Sequence, residues 1–430
     1  MENQLRLYLL IAFILLFQPV YSQIPSAPYS SDTSTTDVHK PGQGINLYKG
    51  NFASVKFSFY GQMRYLNQFY DNDTYTFENG NQITLDPRND LQFQKIMLYF
   101  NGFVHTPKFR YLLYVWTSNT SQGLGAQVVV GGNLQYKFNK YLDLGVGITG
   151  LPSTRTLHGQ FPGWLRTDAR PISEEYFRAS FTTGIWVQGE IAKNLYYKVM
   201  LGNNLSQLGI DAGQLDDGFD TFSGLIYYAS ENFGQIARFG DFNYSEDPAF
   251  KISAAFTRSN ETDQSQPGTE APENSQIRLS DGRTLFSTGT FGENIRVTDA
   301  KYEMFSPHFT IKYHGFSLFT EFYMRWISKL EANGPVPFTN FDDNGFQVQA
   351  SKMLISKTLM LYGYYSKIYG NQGDPYDYGV GLNIYPFKNE VFRINPEIMY
   401  VKNSPVGYLS YPLLLGATGN TLMVTAEIRF

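Results

Sequence analysis

The final ten residues, Thr421 to Phe430, read T-L-M-V-T-A-E-I-R-F. Leu422, Val424, Ala426, Ile428 and Phe430 share one parity; Thr421, Met423, Thr425, Glu427 and Arg429 share the other. Successive side chains of a strand point to opposite faces, so this stretch is a strand with one apolar face. A strand tilted near 45° needs roughly 9–11 residues to cross the hydrocarbon of a bilayer, and this one has that length. Unpaired backbone groups are costly in hydrocarbon, so residence there demands a closed sheet. A soluble sandwich ending in an amphipathic strand is the competing reading, and the rest of the chain decides between them.

The chain opens M-E-N-Q-L-R and continues with the apolar run Leu7 to Phe17, then Pro19 and Val20-Tyr21-Ser22. A basic residue, a short apolar core and a small residue at the cut make residues 1–22 a secretory signal peptide, with the mature chain starting at Gln23. The run is shorter than the ~20 residues a spanning helix needs. Mean hydropathy is −0.29, ordinarily the mark of a soluble protein, but in a barrel only alternate residues meet lipid and the average looks unremarkable. Phe and Tyr are over-used (35 and 32 residues) and Cys is absent. Amphipathic Tyr suits the interfacial girdles of a barrel, and lack of Cys suits an oxidising compartment. A net charge of −4 argues against nucleic acid as a partner.

Residues 23–50 read as a polar linker, and 51–430 as one all-β unit. Period-2 segments place strands at 54–64, 91–103, 109–118, 126–138, 141–150, 177–191, 195–203, 220–229, 249–258, within 295–313, and at 316–327, 344–354, 358–367, 376–387, 390–402 and 421–430. Segment 230–248 reads as a turn, and 66–90 and 259–294 as polar loops, the latter expected to be mobile. This gives sixteen strands. A seventeenth would put the termini on opposite sides, whereas single-chain bacterial barrels carry even numbers. Connections alternate between short (139–140, 192–194, 355–357, 388–389) and long (66–90, 151–175, 259–294, 403–420). The expected architecture is therefore a closed antiparallel transmembrane β-barrel of sixteen strands in the outer membrane, with short periplasmic turns and long extracellular loops.

Parity then assigns charges to faces. With the apolar face outward, the inward bases are Lys56, Arg64, Lys95, Arg110, Lys137, Lys198, Lys251, Arg296, Lys312, Arg325, Arg393 and Arg429, and the inward acids Asp143, Glu190, Glu321, Glu397 and Glu427. A positively lined lumen between low-dielectric walls concentrates anions. The competing account is that these charges pair across the barrel and leave little selectivity. The connection 151–175 adds Arg155, His158, Trp164, Arg166 and Arg170, and Pro152, Pro162, Gly163 and Pro171 keep it irregular.

Several stretches carry a family likeness: Arg178 to Gly189 (R-A-S-F-T-T-G-I-W-V-Q-G) with Tyr196-Tyr197 and Gly202-Asn203, Gly315-Phe316-Ser317-Leu318 running into Glu321 to Arg325, Tyr378 to Asn383, and Phe430. In order and arrangement these resemble the phosphate-selective O/P porins over about 52–430. The resemblance implies a porin, often a homotrimer, with a lysine- and arginine-rich path whose residues do not map individually onto this chain. It further implies that 151–175, the third long loop, folds inward as a constriction, where its arginines would meet anions with planar, bidentate donors. The last strand also resembles the targeting strand of outer-membrane barrels, whose terminal Phe is read by the barrel-insertion machinery.

Gly145 to Gly150 fits G-x-G-x-x-G, but Leu151-Pro152 follows where the dinucleotide motif needs a helix N-terminus, so these are strand glycines. The acidic run Asp211 to Asp220 lacks the spacing of a calcium loop. Five scattered histidines and no Cys give no metal or cofactor site, and nothing marks a nucleophile with its base, so no enzyme is expected. The reading is a passive outer-membrane porin for small hydrophilic solutes, with modest anion, including phosphate, preference. Two rivals stand beside it. One is a transporter for larger or hydrophobic ligands, favoured by an apolar lumen. The other is a non-conducting barrel with an envelope-complex partner, favoured by a lumen filled with side chains.

Overall fold

The computed structural model describes residues 44–118, 127–158, 163–206, 218–265, 276–407 and 413–430. The signal peptide and most of the expected linker lie outside these residues, as does Asp211 to Asp217. The strands are β1 Ile45–Lys49, β2 Ala53–Tyr70, β3 Thr74–Thr76, β4 Gln82–Thr84, β5 Asn89–Val104, β6 Thr106–Ser118, β7 Gln127–Lys137, β8 Asp143–Gly150, β9 Phe181–Ala192 and β10 Leu195–Gly202. They continue as β11 Thr221–Ala229, β12 Ala249–Thr262, β13 Val297–Tyr313, β14 Phe316–Ala332, β15 Phe341–Ile355, β16 Leu359–Tyr369, β17 Tyr376–Ile384, β18 Phe392–Lys402 and β19 Gly419–Arg429. A short helix, α1 (Ile172–Phe177), precedes β9.

Sixteen of these strands, β2 and β5 to β19, form one closed antiparallel barrel. Each pairs with the next, and β19 closes on β2 from Gly419↔Tyr70 to Arg429↔Tyr60. Phe430 completes the seam: its N–H donates to the Phe59 carbonyl (3.1 Å) and its carbonyl accepts from Phe59 N–H (2.9 Å). Its ring lies 5.4 Å from Phe59 and 6.0 Å from Phe57.

Tight turns close one end. They work because one residue in each adopts a left-handed conformation: His105, Asn194, His314, Lys357 and Lys388 all have positive φ, and Gly315 beside His314 does too. Outward aromatics cluster near both ends. Phe109, Tyr136 and Phe138 stand at the tight-turn end, and Tyr365, Tyr376, Tyr378 and Tyr400 at the other. The inward parity is the one expected. Along β13, Tyr302, Met304, Ser306, His308, Thr310 and Lys312 are all buried.

Three expectations change. The linker ends early, because β1 pairs with β2 from Ile45↔Phe57 to Lys49↔Ser54, along the edge of β2 that extends beyond Phe430. The 66–90 loop is shorter, since β2 reaches Tyr70, β5 starts at Asn89, and β3 and β4 pair between them. Third, the C-terminal part of 259–294, expected to be mobile, is packed: Ile277, Leu279, Leu285 and Phe286 are at most 2% exposed. Their apolar side chains join the cluster inside the barrel instead of facing water.

The glycines of 145–150 have local steric reasons. Gly147 has φ +123°, and a Cβ there would stand 2.5 Å from the Gly132 carbonyl; a Cβ on Gly145 would overlap the Trp186 ring.

Candidate functional site

The connection between β8 and β9 runs inside the barrel. Leu151 to Leu157 and Trp164 to Arg170 are buried, with a 3-10 turn at Arg155–Leu157 and α1 as the regular pieces among the described residues. Its prolines remove N–H donors and its backbone cannot join a ladder, so strand side chains satisfy it instead. Arg155 N–H donates to Glu321 (2.9 Å), Ile172 N–H to Asp377 (3.2 Å) and Ser173 N–H to Ser366 (3.2 Å). Glu174 accepts from Thr156 N–H (3.0 Å), Thr156 Oγ1 (2.5 Å) and Gln347 Nε2 (2.9 Å). From the other wall, Arg64 donates to the Thr167 carbonyl (2.9 Å), Lys95 pairs with Asp168 (2.6 Å), and Arg393 donates to the Trp164 carbonyl (2.7 Å).

The strongest anchor is Arg166. Its Nε and Nη2 reach both oxygens of Glu397 at 2.6–3.0 Å, its Nη1 donates to the Arg170 carbonyl (2.8 Å), and it stacks on Tyr364 at 4.3 Å. Both charged side chains are at most 1% exposed. Such a pair is stable only because it is bidentate and otherwise satisfied.

Six of the twelve inward bases, Lys95, Arg110, Arg296, Arg325, Arg393 and Arg429, find acids. Arg110 pairs with Asp143, Arg325 with Asp343, Arg393 with Glu427 (2.7 Å), Arg429 with Glu390 (2.8 Å), and Arg170 with Glu175 (3.2 Å). Arg296 stands just ahead of β13 among the long connections, 43% exposed and paired with Asp263 (2.9 Å). Lys56 is half-buried on the inward parity of β2, and Lys137 is exposed next to a tight turn.

A second group has no carboxylate ion pair among the described residues. Lys251 Nζ lies 3.4 Å from His158 Nδ1, Lys312 Nζ donates to the Arg238 carbonyl (3.3 Å), and Lys198 Nζ donates to the Gly150 carbonyl (3.3 Å). The Arg155 guanidinium donates to the same Arg238 carbonyl (3.3 Å) and covers the Phe239 ring at 4.6 Å. Burial lowers the Arg155 pKa to about 10, against the opposing pull of Glu321 and Glu174. Burial first, then Lys251, Arg155 and Lys198, drive the His158 pKa well below its ordinary value. These basic side chains gather where β10, β12 and β13 meet the inner loop.

The apolar residues of the packed loop join one continuous cluster with inward side chains of β13 to β16, β18 and β19. On the β5–β10 side a cavity of about 300 Å³ remains. Tyr99, Tyr114, Trp116 and Val129 line its wall, Leu157 and Trp164 its loop side, and Lys95, Asp168, Arg170 and Lys198 its polar parts.

No protein-family model matches the chain, and no curated protein does. Solved structures do. An anion-selective porin from Comamonas acidovorans aligns with TM-score 0.54 at 8% identity, over 88% of this chain and 99% of that one. The trimer form of OmpT, an outer membrane protein of Vibrio cholerae, gives 0.52 at 16% identity over 87% and 99%. The outer membrane channel DcaP of Acinetobacter baumannii gives 0.50 at 11% identity over 89% and 99%. Structures similar to this chain are thus outer-membrane porins and channels, and at these identities the likeness is one of fold.

Sequence reasoning missed Arg238 and Phe239. Their segment, 230–248, joins β11 to β12 at the tight-turn end, where the other described connections are short. It reaches the inner loop: Phe239 N–H donates to the Gly163 carbonyl (2.7 Å), Phe239 packs on Phe319 (5.0 Å), and Phe242 packs on Tyr385 (4.8 Å). Arg238 pairs with Glu390. The one sequence signal was length, which is anomalous for a connection on that side.

Proposed function

We propose that the chain is an outer-membrane channel for passive diffusion of small solutes, inserted as a barrel exported by its signal peptide and assembled as a homotrimer. The observation that carries this reading is the β8–β9 connection, which crosses the lumen and is tied to the opposite wall by Arg166 and Glu397. A channel narrowed this way selects by width and by the charges at the narrowing. The likeness to an anion-selective porin and to an outer membrane protein in a trimer form supports both the channel and the trimer.

Modest anion preference, phosphate included, belongs to this reading. It rests on Arg155, Lys198, Lys251 and Lys312, since most other inward bases are neutralised by partners. Fixed positive charges in a low-dielectric passage favour entry of anions. The tested quantity is the reversal potential of single channels of refolded protein in a planar bilayer under a potassium chloride gradient. A shift toward the chloride potential supports anion preference, reduced in a Lys251→Gln/Lys312→Gln double variant. A shift toward the potassium potential overturns the preference and leaves the channel. Absence of steps from folded protein would overturn the channel in favour of a non-conducting barrel in an envelope complex, a rival that the packed inner loop also fits.

A further inference from the structure

Resting on the channel reading, we infer that the cavity against β5–β10 binds amphiphilic monoanions, molecules with one carboxylate and an aromatic or branched apolar body. A general ion path has no use for the wall seen here. Tyr99 on β5, Tyr114 and Trp116 on β6 and Val129 on β7 all project inward at neighbouring positions, faced by Trp164 of the inner loop. A hydrated ion loses solvation beside such a wall and gains nothing in return. An apolar body gains by leaving water and by offset or edge contacts with the rings. The volume, about 300 Å³, is at the lower end of small-molecule sites.

The backbone is shaped for this wall. Gly131 on β7 lies under Tyr114, and a Cβ there would stand 2.4 Å from the phenol oxygen. Any larger residue would push the ring out of the position it holds.

The polar side of the cavity selects charge. Lys95 is matched by Asp168 (2.6 Å), and Arg170 meets Glu175 (3.2 Å), a carboxylate that Arg178 also engages (2.7 Å). Lys198 has a backbone carbonyl and the Trp186 ring (5.6 Å) as neighbours and no ion pair among the described residues. Lys198 is thus the lining cation without a carboxylate ion pair among the described residues, and one such cation suits one negative charge. Two buried polar atoms of the lining, Tyr114 Oη and His158 Nε2, have no hydrogen-bond partner within the described residues. Buried polar groups are nearly always satisfied, and the phenol is a donor for an acceptor atom of a bound molecule. The cavity thus offers an apolar slot, one cation and one free hydroxyl.

The test is isothermal titration calorimetry on detergent-folded protein with benzoate, acetate, benzyl alcohol and inorganic phosphate, so that a non-conducting barrel still reports. Benzoate is expected to bind at least about tenfold more tightly than acetate, benzyl alcohol or phosphate. Lys198→Gln should weaken benzoate by about tenfold, the scale of a charge-assisted hydrogen bond, and leave benzyl alcohol unchanged. Tyr114→Phe should weaken benzoate alone and less, while Trp116→Ala should weaken benzoate and benzyl alcohol together. Phosphate or acetate binding as tightly as benzoate overturns the inference, as does benzoate binding indifferent to both Lys198→Gln and Tyr114→Phe. Benzoate binding without bilayer conductance would uphold the site and overturn the channel. Conductance with no benzoate binding would do the reverse.

Discussion

Replacing Arg166 by Met tests whether the inner loop is held by its ion pair. The change removes the bidentate contact to Glu397, the bond to the Arg170 carbonyl and the stack on Tyr364. It also leaves the Glu397 carboxylate fully buried, with Tyr362 as its remaining hydroxyl donor. Breaking one side of a buried pair typically costs about 3–5 kcal/mol, because the surviving charge is uncompensated. That corresponds to a shift of roughly two to three and a half orders of magnitude in the equilibrium between docked and undocked loop. The barrel ladders lie elsewhere, so the loss falls on the loop. Single-channel recordings of Arg166→Met should show larger or flickering conductance, while the protein keeps the anomalous gel mobility of a folded barrel. The double variant Arg166→Met/Glu397→Met replaces the pair by apolar side chains of similar size and should return recordings close to the parent. A folded Arg166→Met protein with parental conductance and noise would refute this account of what holds the loop.

Further predictions follow from other contacts. Deleting Phe430 removes two aromatic contacts and both backbone bonds to Phe59, so the fraction folding into lipid vesicles should fall several-fold, read by heat-modifiable mobility. Arg238→Ala should free segment 230–248 from Glu390 and raise its cleavage by added protease, with the remaining connections at that end staying resistant. Gly147→Ala places a side chain at φ +123° against the Gly132 carbonyl, which should destabilise the barrel by about 1–3 kcal/mol in a urea titration in detergent.

The sequence by itself determined the class, the strand number and the faces. Those are local properties: a period of two puts Arg64, Arg325 and Arg393 on the inward side whatever they meet there, and turn chemistry spaces the strands. The unbroken pairing of β2 and β5 to β19 follows directly from that pattern. What those inward residues do was decided by tertiary structure. Arg166 and Glu397 lie 231 positions apart, and their pairing depends on the path of an irregular loop that no periodicity encodes. The same holds for Phe239 meeting Gly163, and for the apolar residues of 276–286, which looked like part of a solvated loop and proved buried. Parity names a face, but not whether that face meets water, an acid or another loop. In this barrel the path of the inner loop settled that question. Its Asp168 takes up Lys95, while acids of the strands and other connections take up Arg110, Arg325, Arg393 and Arg429, and Lys198, Lys251, Lys312 and Arg155 are left without carboxylate ion pairs among the described residues. A cavity of about 300 Å³ lies on the aromatic side of the lumen.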